Sequence, residues 1–173
     1  MLTTVDENLM LRLAVEDFFF TESALLDDGR FREWLDLVTE DIKYVIPVQT
    51  TRERAHGGSA SSTTMAHWDD DYTGLEMRIL RLDTEYAWAE DPPSKLRHFV
   101  SNVRVRPGSG ADEYEVRSNV MVSRSRGDSR TTELLTAERQ DVLRRTDQGF
   151  RLARRTVVLD HVVIATHNLA FFF

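Results

Sequence analysis

The apolar positions divide the chain in two, with helical spacing first and strand-like alternation after. Leu11, Val15, Phe18, Phe19, Leu25 and Leu26 fall on one stripe of a helix. Thr4-Val5-Asp6-Glu7 opens it as a capping box, and Gly29 supplies the left-handed residue that ends it. Glu22 sits inside that stripe, where a lone carboxylate needs a partner, and an arginine from the later strands is the expected one. The alternative is an acid with a raised pKa. Phe31, Trp34, Leu35 and Val38 then fall at i, i+3, i+4 and i+7, which predicts a second helix. Residues 42–48 read as a strand ended by Pro47, and residues 49–64, rich in Thr, Ser, Gly and Arg without a period, predict a long loop with a binding or contact role.

Leu75, Ile79, Leu82 and Tyr86 return to helical spacing, giving a third helix over 72–83 despite Gly74, which costs about 1 kcal/mol against alanine. Asp69 or Asp70 is its expected cap, and the neighbouring aspartates place negative charge in its first turn. After Pro92-Pro93 come four strand-like segments, 96–106, 114–126, 132–145 and 150–163, separated by the turn signals PGSGAD, RGDS and TDQG. In the second, Tyr114, Val116, Ser118, Val120 and Val122 alternate with Glu115, Arg117, Asn119, Met121 and Ser123. In the last, Ala153, Val157 and Leu159 alternate with Leu152, Arg154, Thr156 and Val158. Short connections imply an antiparallel meander. The order predicts one α+β domain over residues 1–173, with three helices packed on one face of a curved sheet.

Composition narrows the function classes. Hydrophobic residues make up 41% and charged residues 29% of the 173, an ordinary folded chain. A net charge of −7 argues against nucleic-acid binding. The acidic beginning of the sequence and the lack of a long apolar run point to a cytoplasmic protein that does not span a membrane. There is no cysteine, which excludes thiolate zinc, iron–sulfur ligation by this chain and a cysteine nucleophile. Of the 22 basic residues only Lys43 and Lys95 are lysines, and the arginines suit ion pairs in interfaces.

Three patterns bear on chemistry. His67-Trp68-Asp69 has the His-x-Asp spacing of an iron triad, but chance alone supplies about one such pair at this composition, and helix capping beside a surface histidine accounts for it. His98 with Asp83, Glu85 or Tyr86 would make a general-base pair in a cone-shaped pocket; the plainer reading is a histidine hydrogen-bonded within a strand. The ending NLAFFF must bury Phe171, Phe172 and Phe173 either in the domain or against another subunit. No phosphate loop or nucleophile elbow is present.

The stretches FFFTESALLDDGRFREWLDLVTEDIKYVIPV (18–48), LEMRILRLDTEYAWAEDPPSKLRHFVSNVRV (75–105) and the ending NLAFFF resemble the small, or beta, subunit of aromatic-ring-hydroxylating dioxygenases. The most specific piece is YAWAEDPPS (86–94), followed by Arg97-His98 and Ser101-Asn102-Val103. This resemblance implies the cone-like curved sheet shared with nuclear transport factor two and scytalone dehydratase. It further implies a partner alpha subunit in a three-plus-three hexamer, with the Rieske [2Fe-2S] cluster and the mononuclear Fe(II) in alpha, and a ferredoxin and reductase bringing electrons from NADH. The beta chain then binds no metal or cofactor, has no catalytic residue and serves assembly. The resemblance and the charges around two rigid prolines make Trp88, Glu90, Asp91, Pro92, Pro93 and Arg97, with the Phe171–173 tail, the interface candidates. The rival reading is a free-standing dehydratase, isomerase or epoxide hydrolase on the same cone, working through His98 and a nearby acid.

Overall fold

In the computed structural model the described residues are 4–50, 60–82, 94–127, 131–161 and 171–173. The elements run α1 (Thr4–Asp27), α2 (Phe31–Leu35), β1 (Val38–Thr50), β2 (Ala60–Asp70), α3 (Tyr72–Leu82), β3 (Lys95–Pro107), β4 (Glu113–Ser125), β5 (Glu133–Thr146) and β6 (Gly149–Leu159). Six strands form one sheet in the order β2-β1-β6-β5-β4-β3. β3 to β6 make the expected antiparallel meander, while β1 joins β6 in parallel and carries antiparallel β2 on its other edge. The sheet is therefore mixed.

α1 forms and ends as its pattern dictates. Val15, Phe18, Phe19, Glu22, Leu25 and Leu26 are all buried, a single stripe at helical spacing. At its end Gly29 adopts φ +69°, its N–H donates to the Leu26 carbonyl and the Arg30 N–H to the Leu25 carbonyl. These two bonds close a Schellman motif and turn the chain into α2.

Three local expectations are corrected. The second helix has only five residues, because Val38, fourth in its apolar pattern, already pairs with Leu152 of β6. β1 continues past Pro47, where its register with β2 slips on both sides of the residue that has no N–H to give. Residues 60–70, part of them expected as loop, form the edge strand β2. The aspartates divide differently too: Asp71 caps α3, its Oδ1 accepting from the Gly74 N–H at 2.9 Å. Asp69 instead pairs with Lys43, and Asp70 accepts from Arg78 Nε at 2.6 Å.

Helices and core lie on the sheet face bearing Val116, Val120, Val122, Leu135, Ala137, Leu143, Leu152, Val157 and Leu159, against Val15, Phe18, Trp34, Leu75 and Ile79. No described helix is long and apolar enough to cross a membrane.

Candidate functional site: the interior of the cone

The space between helices and sheet is where a cone of this kind would hold a small molecule. Here it is filled from three directions, by aromatic rings, by a charge quartet and by a histidine–aspartate pair.

The aromatic filling comes from the end of the sequence. Phe172 packs among Trp34, Trp68, Phe31 and Tyr44, with ring centroids 4.4, 5.4, 5.8 and 6.4 Å away. These are the tilted and edge-on separations at which aromatic pairs attract beyond simple burial. The backbone is held as well: the Phe173 N–H donates to Tyr44 Oη at 2.9 Å, and Tyr44 Oη donates to the Phe173 oxygen at 3.3 Å. Burial first, with the neighbouring charges only partly opposing it, pushes the Tyr44 hydroxyl up to about 12, so it keeps the proton it donates. Phe171, Phe172 and Phe173 are 3%, 1% and 0% exposed. Of the two burials expected for the tail, the structure shows the one inside its own chain, because four rings and two backbone bonds already receive it.

Beneath the tail lies the quartet Glu22, Arg139, Asp141 and Arg155, each at most 2% exposed. Arg155 uses all five of its N–H donors. Nε and Nη2 reach the Asp141 oxygens at 2.9 and 3.0 Å, Nη1 and Nη2 reach the Glu22 oxygens at 2.8 and 2.9 Å, and Nη1 also reaches the Phe173 oxygen at 2.5 Å. Glu22 accepts further from Trp34 Nε1 at 3.1 Å and Arg139 Nη1 at 3.2 Å. Two acids and two guanidiniums give zero net charge, which is what makes the burial tolerable. Burial pushes the Glu22 carboxyl up, but Arg155 and then Arg139 outweigh it and hold it below its ordinary value. Burial likewise lowers Arg139, which stands beside Arg155, while for Arg155 the burial cost is overcome by Asp141 and Glu22 and its pKa rises. Arg139 also lies over the Phe19 ring at 4.4 Å and donates to Ser118.

Sequence reasoning found Glu22 and its arginine partners as a type, but not Asp141. The signal was there: Arg139 and Asp141 alternate with Ala137 and Leu143 on one apolar face of β5, and Arg155 falls between Ala153 and Val157 on β6.

The third component joins α1 to β3. Asp27 ends α1, where a carboxylate opposes the helix dipole and needs donors to hold it. It accepts from the His98 N–H at 3.1 Å and from exposed Arg97 at 3.4 Å, and its Oδ1 shares a 2.6 Å hydrogen bond with His98 Nδ1. The other ring nitrogen, Nε2, lies 2.9 Å from the Phe172 oxygen. A carbonyl oxygen only accepts, so Nε2 donates to it and both ring nitrogens are occupied. The partner of His98 is thus Asp27; Asp83, Glu85 and Tyr86, named for that role, lie outside the described residues, as do the interface candidates Trp88, Glu90, Asp91, Pro92 and Pro93. His67 is exposed on β2, whereas Trp68 beside it is buried under Arg78, whose guanidinium sits 3.8 Å from its ring centre. Among the described residues no three His, Asp or Glu side chains converge as a metal site.

The chain is thus a cone-like α+β fold with its own tail packed inside. Residues 21–166 match the family model for the ring hydroxylating beta subunit. The chain is 40% identical, over 94% of its length and 89% of the relative's, to the biphenyl 2,3-dioxygenase subunit beta of Rhodococcus jostii. The chain belongs to the ring-hydroxylating dioxygenase beta-subunit family. Its fold is shared with a chain in the structure of naphthalene 1,2-dioxygenase with indole bound in the active site, at TM-score 0.82, 20% identity, and coverage of 99% and 95% of the two chains. It is also shared with a scytalone dehydratase-like protein from Novosphingobium aromaticivorans, at TM-score 0.63, 19% identity, and coverage of 96% and 97%.

Proposed function

We propose that this chain is the assembly subunit of a cytoplasmic multicomponent dioxygenase that cis-dihydroxylates an aromatic hydrocarbon, and that it performs no chemistry alone. The observation that carries the reading is the occupied cone. Phe172 packs inside the cone against Trp34, and His98, the one buried histidine among the described residues, has both nitrogens committed to Asp27 and the Phe172 oxygen. The rival, a free-standing dehydratase, isomerase or epoxide hydrolase, needs that histidine facing a vacant polar chamber. The substrate class is taken from the relative named for biphenyl.

The Rieske [2Fe-2S] cluster and mononuclear Fe(II) are assigned to the partner alpha subunit. A Rieske cluster needs two cysteines and two histidines, and this chain has no cysteine, so its residues do not fit that group. Three alpha and three beta chains make the complete assembly, served by a ferredoxin and a reductase that draw on NADH. Exposed apolar side chains on α1, Leu9 (50%), Met10 (58%), Leu13 (46%) and Phe20 (57%), support a chain that is covered by others. Co-expression with the alpha subunit tests the reading. The expected result is a single species with equal numbers of the two chains by native mass; separate elution of the two would overturn it.

A further inference from the structure

The sheet face turned away from the helices holds a concavity of about 460 Å³, and its floor is arginine: Arg104 and Arg106 from β3, Arg117 from β4 and Arg154 from β6. Among the described residues Glu115 is the sole acid on that face of the floor, Asp141 being turned to the other side, into the buried quartet. We propose that this concavity is the docking site for a carboxylate-rich segment of the alpha subunit, an inference that rests on the reading of this chain as a dioxygenase subunit.

The backbone gathers these charges. β3 and β4 slip register between Ser101 and Arg104, where Asn102 takes φ +55°. Before the bulge the inward residues of β3 are Leu96, His98 and Val100; after it they are Val103 and Val105. The parity change swings Arg104 and Arg106 onto the helix-free face, and Arg104 then stands directly across from Arg117. Like charges facing each other across a strand pair repel. The isolated chain leaves this repulsion largely uncompensated: among the described residues Arg104, Arg106 and Arg154 have no ion-pair or hydrogen-bond partner, and Arg117 has Glu138 only at 3.8 Å.

Many of the described arginines elsewhere are matched, although Arg151 reaches only Gln148 and Arg145 lies over the Tyr114 and Phe150 rings. Arg12, Arg30, Arg78, Arg124, Arg139, Arg144 and Arg155 each meet a carboxylate. Four guanidiniums converging on one concavity against the single carboxylate of Glu115, which stands across from Arg106, in a chain of net charge −7, mark the place where an outside anion is due. The floor spans several strands and its side chains are exposed, a form suited to an extended protein segment rather than an enclosed small ligand. Because the floor is predominantly positive, facing its own copy across a two-fold axis would set like charges together, which favours a different surface as occupant.

The test uses the co-expressed complex, with dissociation on dilution followed by mass photometry. Arg104→Glu/Arg106→Glu/Arg154→Glu should weaken the alpha–beta dissociation constant about tenfold or more, and the Gln triple variant should do so by less. Raising salt to about 0.5 M should narrow both gaps. Arg151→Glu, at the start of β6 and outside the concavity, is the control and should match wild type. Equal dissociation of wild type and the Glu variant at every salt concentration would overturn the docking face while leaving the subunit reading intact. Loss of chain-to-chain contact with alpha binding retained would overturn it too, since the occupant would then be a second copy. If even the wild-type chain fails to bind alpha, the subunit reading falls and this inference falls with it.

Discussion

Arg155 holds both oxygens of Glu22, at 2.8 and 2.9 Å, across 133 positions of sequence, and so ties the C-terminal part of α1 to β6 within the sheet. The same guanidinium reaches the tail at Phe173, so helix, sheet and chain end meet on one side chain.

Removing that side chain leaves Glu22 and Asp141 buried with only Arg139 to balance them. Arg155→Met should cost about 3–5 kcal/mol in urea unfolding, as expected when one partner of a buried pair is deleted. A double-mutant cycle with Glu22→Gln should show coupling above about 1 kcal/mol. Additive losses would mean that the quartet does not act as a unit.

Acid sensitivity follows from the same group. Glu22 titrates below its ordinary 4.5 in the folded chain, so the unfolded chain takes up its proton first as pH falls. The pair's contribution is therefore complete above about pH 4.5 and is lost as pH falls through the folded value. Urea midpoints followed from about pH 6 to about pH 3 should fall more steeply for wild type than for Glu22→Gln. Parallel curves would show that the carboxyl is not held down.

The tail makes a packing prediction. Phe172→Ala opens a hole ringed by Trp34, Trp68, Phe31 and Tyr44 and should cost about 3–5 kcal/mol, whereas Phe172→Leu should cost less than half of that. A loss under about 1 kcal/mol in the alanine variant, by thermal or urea unfolding, would mean that the tail is not a core element.

How far the fold was legible in the sequence depends on whether the signal was local. α1, α3 and the meander announced themselves through period and turn residues. β2 did not, because Ser61, Ser62, Thr63 and Thr64 belong to an edge strand, and such strands need no apolar alternation. The early end of α2 and the parallel pairing of β1 with β6 depend on contacts between residues more than a hundred positions apart, which no window reveals. Within the cone, the partners of Glu22 could be foreseen by charge, whereas the Asp27–His98 pair joins a helix end to a distant strand and left no sequence pattern.

His98 separates the two functional readings. His98→Ala removes the ring's hydrogen bonds to the Asp27 carboxylate and the Phe172 oxygen, which should lower stability by about 1–3 kcal/mol. Turnover per folded complex should stay within about twofold of wild type. A loss of about a hundredfold or more with folding intact would be the mark of an acid–base catalyst and would favour the rival enzyme.

His67→Ala should leave the iron content of the assembled complex unchanged, because His67 is exposed on β2 and its neighbour Asp69 is engaged with Lys43. Loss of iron measured by elemental analysis would revive the His-x-Asp pattern as a ligand pair.

The central claim, that this chain supports chemistry housed in another, is tested most directly by measuring oxidation of biphenyl with ferredoxin, reductase and NADH present, using this chain alone and then its complex with the alpha subunit. The account predicts no turnover and no iron in the purified chain, and both in the complex. A stable iron-free monomer that turns over a small molecule by itself would contradict it.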